Sequence, residues 1–204
     1  MNQLWLVRHG QSEGNRNHCF LGRQDPPLTD LGRKQMQSIR ALLPNQPDQI
    51  WTSPLQRASQ SAALLFSQHA QTDSRLMEQD FGAWEGLTRE EAEQQDPHVF
   101  AAWATGDPVF APPKGESLFS VQARVESWLA DFQKKGSPQA VVVAHGGLLQ
   151  TLCCRLLNTP LSNQWPYVFQ QGGIAHFRFL GSRAQMIGFY PGPLSEVSPS
   201  NQSK

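Results

Sequence analysis

The 204-residue sequence is short of cysteine, has no excess of either charge and contains no long apolar run. Its three cysteines, Cys19, Cys153 and Cys154, are odd in number, and two are adjacent in an apolar stretch. They do not read as a disulfide framework or as paired metal ligands, which points to a reducing compartment. The 17 basic side chains balance 17 acidic ones, so no general field attracts DNA, RNA or an anionic membrane, and any attraction for anions has to be local. No apolar run reaches the roughly 18 to 20 residues needed to span a bilayer, and the N-terminus lacks the basic and long apolar regions of a secretory signal. The expectation is a cytoplasmic protein with no nucleic-acid or membrane partner. No Asp-rich motif, Cys-x-x-Cys pair or His-x-x-x-His spacing reads as a ligand set, which predicts no metal and no cofactor. Internal repeats are absent.

What is present alternates between strand and helix patterns. Leu4 to Val7 is a short apolar run that opens at once into Arg8-His9-Gly10, the pattern of a buried strand whose carboxyl end becomes a loop. Thr29 or Asp30 caps a helix whose stripe is Leu31, Gln35, Ile39, Leu42 and Leu43, ending at Pro44. Gln49 to Thr52 reads as a strand. Ser53-Pro54 reads as an N-cap with proline at the first helical position, opening a helix over Leu55 to Phe66 with Arg57 in its first turn. Thr72 to Met77 is a candidate strand, and the Gly82 to Gly86 turn precedes a helix from about Thr88. A proline-rich loop, 106–115, leads through Glu116 and Ser117 into a long helix with Val121, Val125, Trp128, Leu129 and Phe132 on its apolar face. Ala140 to Ala144 is the clearest buried strand; it ends on His145-Gly146-Gly147, and a helix follows from Leu148 to Leu157. Two further strands are expected at Ala175 to Leu180 and Gln185 to Phe189. The pattern predicts a single α/β domain over 1–190, a doubly wound three-layer sandwich with a mostly parallel central sheet and its ligand at the carboxyl ends of the strands. Residues 191–204, rich in Pro, Ser, Gly and Asn, are expected to form a flexible tail.

Two buried strands thus each deliver a glycine-flanked histidine to the same sheet edge, where glycine lets backbone N–H groups approach a ligand closely. Together with Leu6 to Asn15, the sequence carries Asp25-Pro26-Pro27-Leu28-Thr29 with Gly32, Thr52-Ser53-Pro54-Leu55-Gln56-Arg57-Ala58, Glu78 to Gly86, Gly115-Glu116-Ser117 and Ala144-His145-Gly146-Gly147. In that order and spacing these segments resemble the histidine phosphatase superfamily, the phosphoglycerate mutase-like proteins, over Met1 to Phe189. The resemblance implies His9 as a nucleophile that is transiently phosphorylated. It implies Arg8, Asn15, Arg57 and His145, with Gly146, as phosphate-binding groups, and Glu78 as the proton donor. The chemistry is consistent: a phosphomonoester carries close to two negative charges, and guanidiniums spread over its oxygens with planar, bidentate hydrogen bonds. At about 4 Å and an effective dielectric near 20, each charge pair is worth on the order of 4 kcal/mol before desolvation. The same cations oppose protonation of His9 and so preserve its nucleophilic lone pair. Asp80 and Glu85 are the alternatives to Glu78. Trp84 is expected to pack beneath the pocket, and Glu116 with Ser117 to start a helix or orient pocket residues. His18, His69, His98 and His176 have no motif support.

The resemblance fixes the intermediate better than the outcome. The cofactor-dependent mutases of the superfamily carry an insertion with paired arginines before the Glu-Ser segment, a tyrosine where Phe81 stands and a lysine where Arg89 stands. The chain lacks these, so it resembles the phosphatase branch, in particular bacterial groups such as the α-ribazole phosphatases and phosphoserine phosphatases. The expected partner is a small phosphorylated metabolite. Phosphoglycerate mutase-type transfer, a phosphoprotein phosphatase or signalling regulator, and a catalytically silent binding module are the alternatives. The oligomeric state is open, with a dimer among the choices.

Overall fold

The strand that begins the chain lies inside the sheet. In the computed structural model, which describes residues 2–193, six strands form one sheet: β1 (Asn2–Arg8), β2 (Gln49–Thr52), β3 (Gln71–Thr72), β4 (Gln139–Ala144), β5 (Ile174–Leu180) and β6 (Arg183–Tyr190), in the order β3-β2-β4-β1-β5-β6. The first four in that order are parallel, and β5 and β6 extend the sheet by antiparallel pairing. Seven helices accompany them among the described residues: α1 (Glu13–Arg16), α2 (Asp30–Ile39), α3 (Gln56–Leu65), α4 (Arg89–Gln95), α5 (Pro97–Ala104), α6 (Leu118–Lys135) and α7 (Gly146–Leu157).

Because side chains alternate across a strand, near-continuous apolar runs in β1 and β4 require cover on both faces. Leu4, Leu6 and Val142 pack against Val125, Trp128 and Leu129 of α6 and Leu149 and Leu152 of α7. Their neighbours Trp5, Val7, Val141 and Val143 pack against Met36 and Ile39 of α2 and Ala62 and Leu65 of α3. The result is the expected α/β sandwich, three layers thick with a mostly parallel sheet.

Several local expectations are corrected. Ser53-Pro54 does not cap α3: the helix begins at Gln56 with Leu55 in the cap position, and the Ser53 hydroxyl instead accepts the Leu55 N–H at 3.3 Å. The Thr72 to Met77 strand shrinks to Gln71–Thr72, because Asp73 accepts the N–H of Arg75 and starts a 3₁₀ turn over Ser74–Leu76. The stripe of α2 and the turn after it buries Gln35, Met36, Ile39 and Leu43 but leaves exposed Leu31, in the first turn, and Leu42, in the 3₁₀ turn that follows the end of regular helix at Ile39. α7 starts at Gly146, before Leu148, and α5, with Pro97 in its first turn and Asp96 as cap, was not read from the sequence. The expected tail falls mostly on residues 194–204, outside those described. No helix among the described residues is long and apolar enough to cross a membrane.

Candidate active site

Four parallel strands bring the chemistry to one edge. Arg8 pairs with Ala144 in the β1–β4 register, so His9 and His145 emerge side by side, and the His9 N–H donates to the Ala144 carbonyl at 3.0 Å. β2 turns into α3 and delivers Arg57 in the first helical turn. β3 and the 3₁₀ turn after it deliver Glu78. Gly10 makes the turn possible: a Cβ there would lie 2.4 Å from the carbonyl oxygen of Gly32, a clash any other residue would have to relieve.

The two histidine rings stand 5.0 Å apart at 63°, and both are buried. Their partners assign opposite tautomers. His9 Nδ1 lies 2.6 Å from the Gly10 carbonyl, which can only accept, so Nδ1 carries the hydrogen and Nε2 keeps a free lone pair. His145 Nδ1 accepts from Arg57 Nε at 3.2 Å, which puts the hydrogen on Nε2, a buried group without a partner among the described residues. Burial first, then the positive charges of Arg57 and Arg8, hold the His9 imidazole well below its usual pKa. Burial, Arg57, His9 and Arg8 do the same to His145. Both rings are therefore neutral near pH 7.

Arg8 lies against the start of α7, where a Cβ on Gly146 would come within 3.3 Å of its guanidinium carbon. One arm donates to the Phe169 carbonyl, and the buried Nε has no partner among the described residues. Arg57 is fully buried. Besides His145 it donates to the carbonyls of Gln24 (2.7 Å), Gly22 (2.8 Å) and Leu21 (3.3 Å), so it ties the 21–24 loop to the site. Burial lowers its pKa to about 10 against the opposing pull of Glu78, which leaves it charged. Asn15 is half-buried in α1, its Oδ1 accepting the N–H and hydroxyl of Ser12 at 3.2 and 2.9 Å, while its Nδ2 takes no part in that pair.

Glu78 sits across the start of α7. Its carboxyl group accepts the N–H groups of Gly147 (3.0 Å) and Leu148 (2.9 Å), helix donors that have no intrahelical partner, and that of Gln79 (2.9 Å). The two neighbouring acids are spent elsewhere. Glu85 accepts from the backbone of Gly22, Arg23, Gln24 and Phe81, and Asp80 from that of Gly82. Trp84 is buried in an aromatic cluster with Phe20, Phe100 and Trp103. His176 stacks on Trp5 and bonds Gln3, away from the catalytic edge.

Two features were not legible in the sequence. Arg124, on the polar side of α6, donates to the carbonyls of Arg75 (2.8 Å), Met77 (2.6 Å) and Glu78 (3.0 Å), and Glu116 grips it at 3.1 and 3.0 Å. Burial raises the Glu116 pKa, but hydrogen bonds and charge from Arg124 outweigh it and hold the carboxyl below its usual range. Beyond Glu78 and Gly147 opens a pocket of about 180 Å³, walled by residues from four separate segments of the chain, among them Trp103, Phe110 and Trp165. Gly106, Asp107 and Phe110 of the proline-rich loop form one wall of it, and the Pro113 carbonyl of that loop accepts the Ala83 N–H at 2.8 Å. Among the described residues no three or more His, Cys, Asp or Glu side chains are grouped to hold a metal ion.

Comparison with known proteins identifies the family. The model of the family described as histidine phosphatase superfamily (branch 1) matches residues 4–190. The chain is 32% identical over 198 residues to the adenosylcobalamin/α-ribazole phosphatase of Salmonella typhimurium, covering 89% of this chain and 97% of that one. It is 34% identical over 193 residues to the glucosyl-3-phosphoglycerate phosphatase of Mycolicibacterium vanbaalenii, covering 89% and 85%. The crystal structure of the α-ribazole phosphatase from Shigella flexneri superposes with a TM-score of 0.84 at 28% identity, covering 90% of this chain and 94% of that one. With paired strand-end histidines, a buried arginine between them and the 21–24 loop, and a family match that spans the whole sheet, the chain belongs to the histidine phosphatase superfamily, branch 1, as one of its phosphatases.

Proposed function

We propose that the chain hydrolyses a small-molecule phosphomonoester through a phosphohistidine on His9, without a metal ion, in a reducing cytoplasm. The observation that carries this reading is the opposite tautomers of the two buried histidines. His9 offers a lone pair from Nε2, and His145 offers an unpartnered Nε2–H. Nucleophile and oxyanion donor are thus distinguished by what each Nδ1 touches.

In this scheme Arg8, Arg57 and His145, helped by the Asn15 amide and the Gly146 backbone at the start of α7, spread over the phosphoryl oxygens. His9 Nε2 attacks phosphorus as the bond to the alcohol oxygen breaks. Glu78, on the boundary between this cradle and the pocket, gives its proton to the leaving alkoxide. The resulting carboxylate takes a proton from water, whose oxygen attacks phosphorus and breaks the N–P bond, releasing inorganic phosphate and restoring neutral His9. General acid–base help of this kind is worth about 10² to 10⁴ in rate.

Turnover of p-nitrophenyl phosphate by the wild type and His9→Ala, with and without a chelator, tests the scheme. The substitution is expected to reduce kcat/KM by about 10⁴-fold or more, and the chelator to leave activity unchanged. Trapped phosphoenzyme should be acid-labile and alkali-stable; an acid-stable label or chelator-sensitive turnover refutes the proposal. Turnover of 3-phosphoglycerate to its isomer exceeding hydrolysis would replace phosphatase by mutase.

A further inference from the structure

The pocket beyond Glu78 has a composition that selects one kind of alcohol. Its apolar walls are the rings of Phe81, Trp103, Phe110 and Trp165 with Leu118. Phe110 and Trp165 are 41% and 51% exposed, so rings at the mouth stand open to solvent. Its volume of about 180 Å³ is close to that of cavities of about 150 Å³ that bind a single benzene ring.

The polar part of the lining, three glutamines and two acids, is rich in hydrogen-bond acceptors. Gln79 and Gln150 each donate one of their two side-chain N–H hydrogens, to the carbonyls of Glu116 (2.7 Å) and Tyr167 (3.0 Å), and their amide oxygens accept from no protein donor among the described residues. Gln164 is 2% exposed and its Oε1 is buried without a partner among the described residues. A buried amide left unpaired costs free energy until a ligand supplies a donor. The two ionisable residues in the lining, Glu78 and Asp107, are both acidic, and no lysine or arginine contributes. Arg23 and Arg124 are already paired with Glu116. A substrate carboxylate in this pocket would meet the Asp107 carboxylate and no counter-ion.

Resting on the reading of the site as a phosphomonoesterase, we infer that the alcohol half of the substrate is a flat, uncharged ring carrying O–H or N–H donors, and that carboxylate-bearing phosphoesters are disfavoured. The ring stacks between the aromatic walls, as offset or edge contacts between rings favour. Its donor satisfies Gln164. Exclusion of acids follows from like charge, the usual way a site rejects a competitor of similar size.

Non-hydrolysable phosphonates separate this inference from the catalytic one. Calorimetric affinities would be measured on the intact protein for methylphosphonate, (2-phenylethyl)phosphonate, its 4-hydroxyphenyl analogue and 3-phosphonopropanoate. The hydroxyphenyl compound should bind most tightly, the phenyl compound next, and the carboxylate at least about tenfold more weakly than the hydroxyphenyl one. Phe110→Ala and Trp165→Ala, both at exposed positions, should weaken the ring compounds about fivefold more than methylphosphonate, and Gln164→Leu should abolish the advantage of the hydroxyl group. A carboxylate that binds as tightly as the rings, or alanine variants that leave the ring preference intact, would overturn the inference. Turnover of p-nitrophenyl phosphate is read separately: its absence refutes the phosphatase scheme, while the binding order still decides what the pocket accepts.

Discussion

His9 and His145 are the same residue type, 5.0 Å apart, yet in the proposed reaction one gives an electron pair and the other a hydrogen bond. The difference lies in one atom each: a carbonyl at Nδ1 of His9 and a guanidinium at Nδ1 of His145. Arg124 acts at one remove, positioning Glu78 by holding its own carbonyl and two just before it. Arg124→Met should therefore impair the acid step selectively. It is expected to lower kcat/KM for an alkyl phosphate by on the order of 10²-fold, the scale of a roughly 1 Å misplacement. For p-nitrophenyl phosphate, whose leaving group needs no proton, the loss should be about tenfold smaller. Equal losses on both substrates would assign Arg124 a purely structural role.

At the scale of elements, the departures from the sequence reading share a cause: short polar side chains compete with regular structure. Asp73 captures a nearby N–H and ends β3 after two residues, and Ser53 does the same ahead of α3. Such local bonds depend on φ and ψ that the apolar pattern does not specify. The 21–24 loop shows the stakes. Its carbonyls hold Arg57 while its N–H groups are held by Glu85, at 3.2 Å from Gly22, 2.8 Å from Arg23 and 3.1 Å from Gln24. Removing that acceptor leaves partly buried donors unpaired. Glu85→Ala is expected to destabilise the fold by about 2–3 kcal/mol in a denaturant titration and to raise the Kd for inorganic phosphate, because Arg57 loses its anchor. Unchanged phosphate affinity in a folded Glu85→Ala protein would show that the loop is not what holds Arg57.

For the whole molecule, burial of neutral histidines has a cost that depends on pH. His9 and His145 have folded pKa values below those of the unfolded chain, near 6.5. Burial shifts His176 the same way. As pH falls through 6.5 the unfolded chain takes up protons that the folded one refuses, so stability is full above that pH and declines below it. Denaturant titrations in phosphate-free buffer should give lower stability at pH 5.5 than at 7.5, by at most about 1.4 kcal/mol per pH unit for each histidine. The His9→Gln, His145→Gln double variant should show a shallower decline. A slope unchanged by that double substitution would place the pH dependence elsewhere.

The sequence alone determined the sheet and the strand-end residues. Val141 to Ala144 and Leu4 to Val7 are apolar at every position, which only a strand covered on both faces satisfies, and His9, Arg57, Glu78 and His145 each follow a strand at its carboxyl end. Chain order therefore decided which residues could meet. The tertiary structure decided how they meet. Which nitrogen of each histidine is free, why Glu78 and not Asp80 or Glu85 borders the pocket, and the Arg124 clamp all depend on contacts between segments separated by tens of residues. The pocket wall is the extreme case: Trp103 lies on α5, Gln150 on α7 and Trp165 in a turn beyond it, with no shared period or motif. Side-chain periodicity records which face an element buries, but a pocket is set by distances between elements, and those exist only once the sheet and its helices have packed.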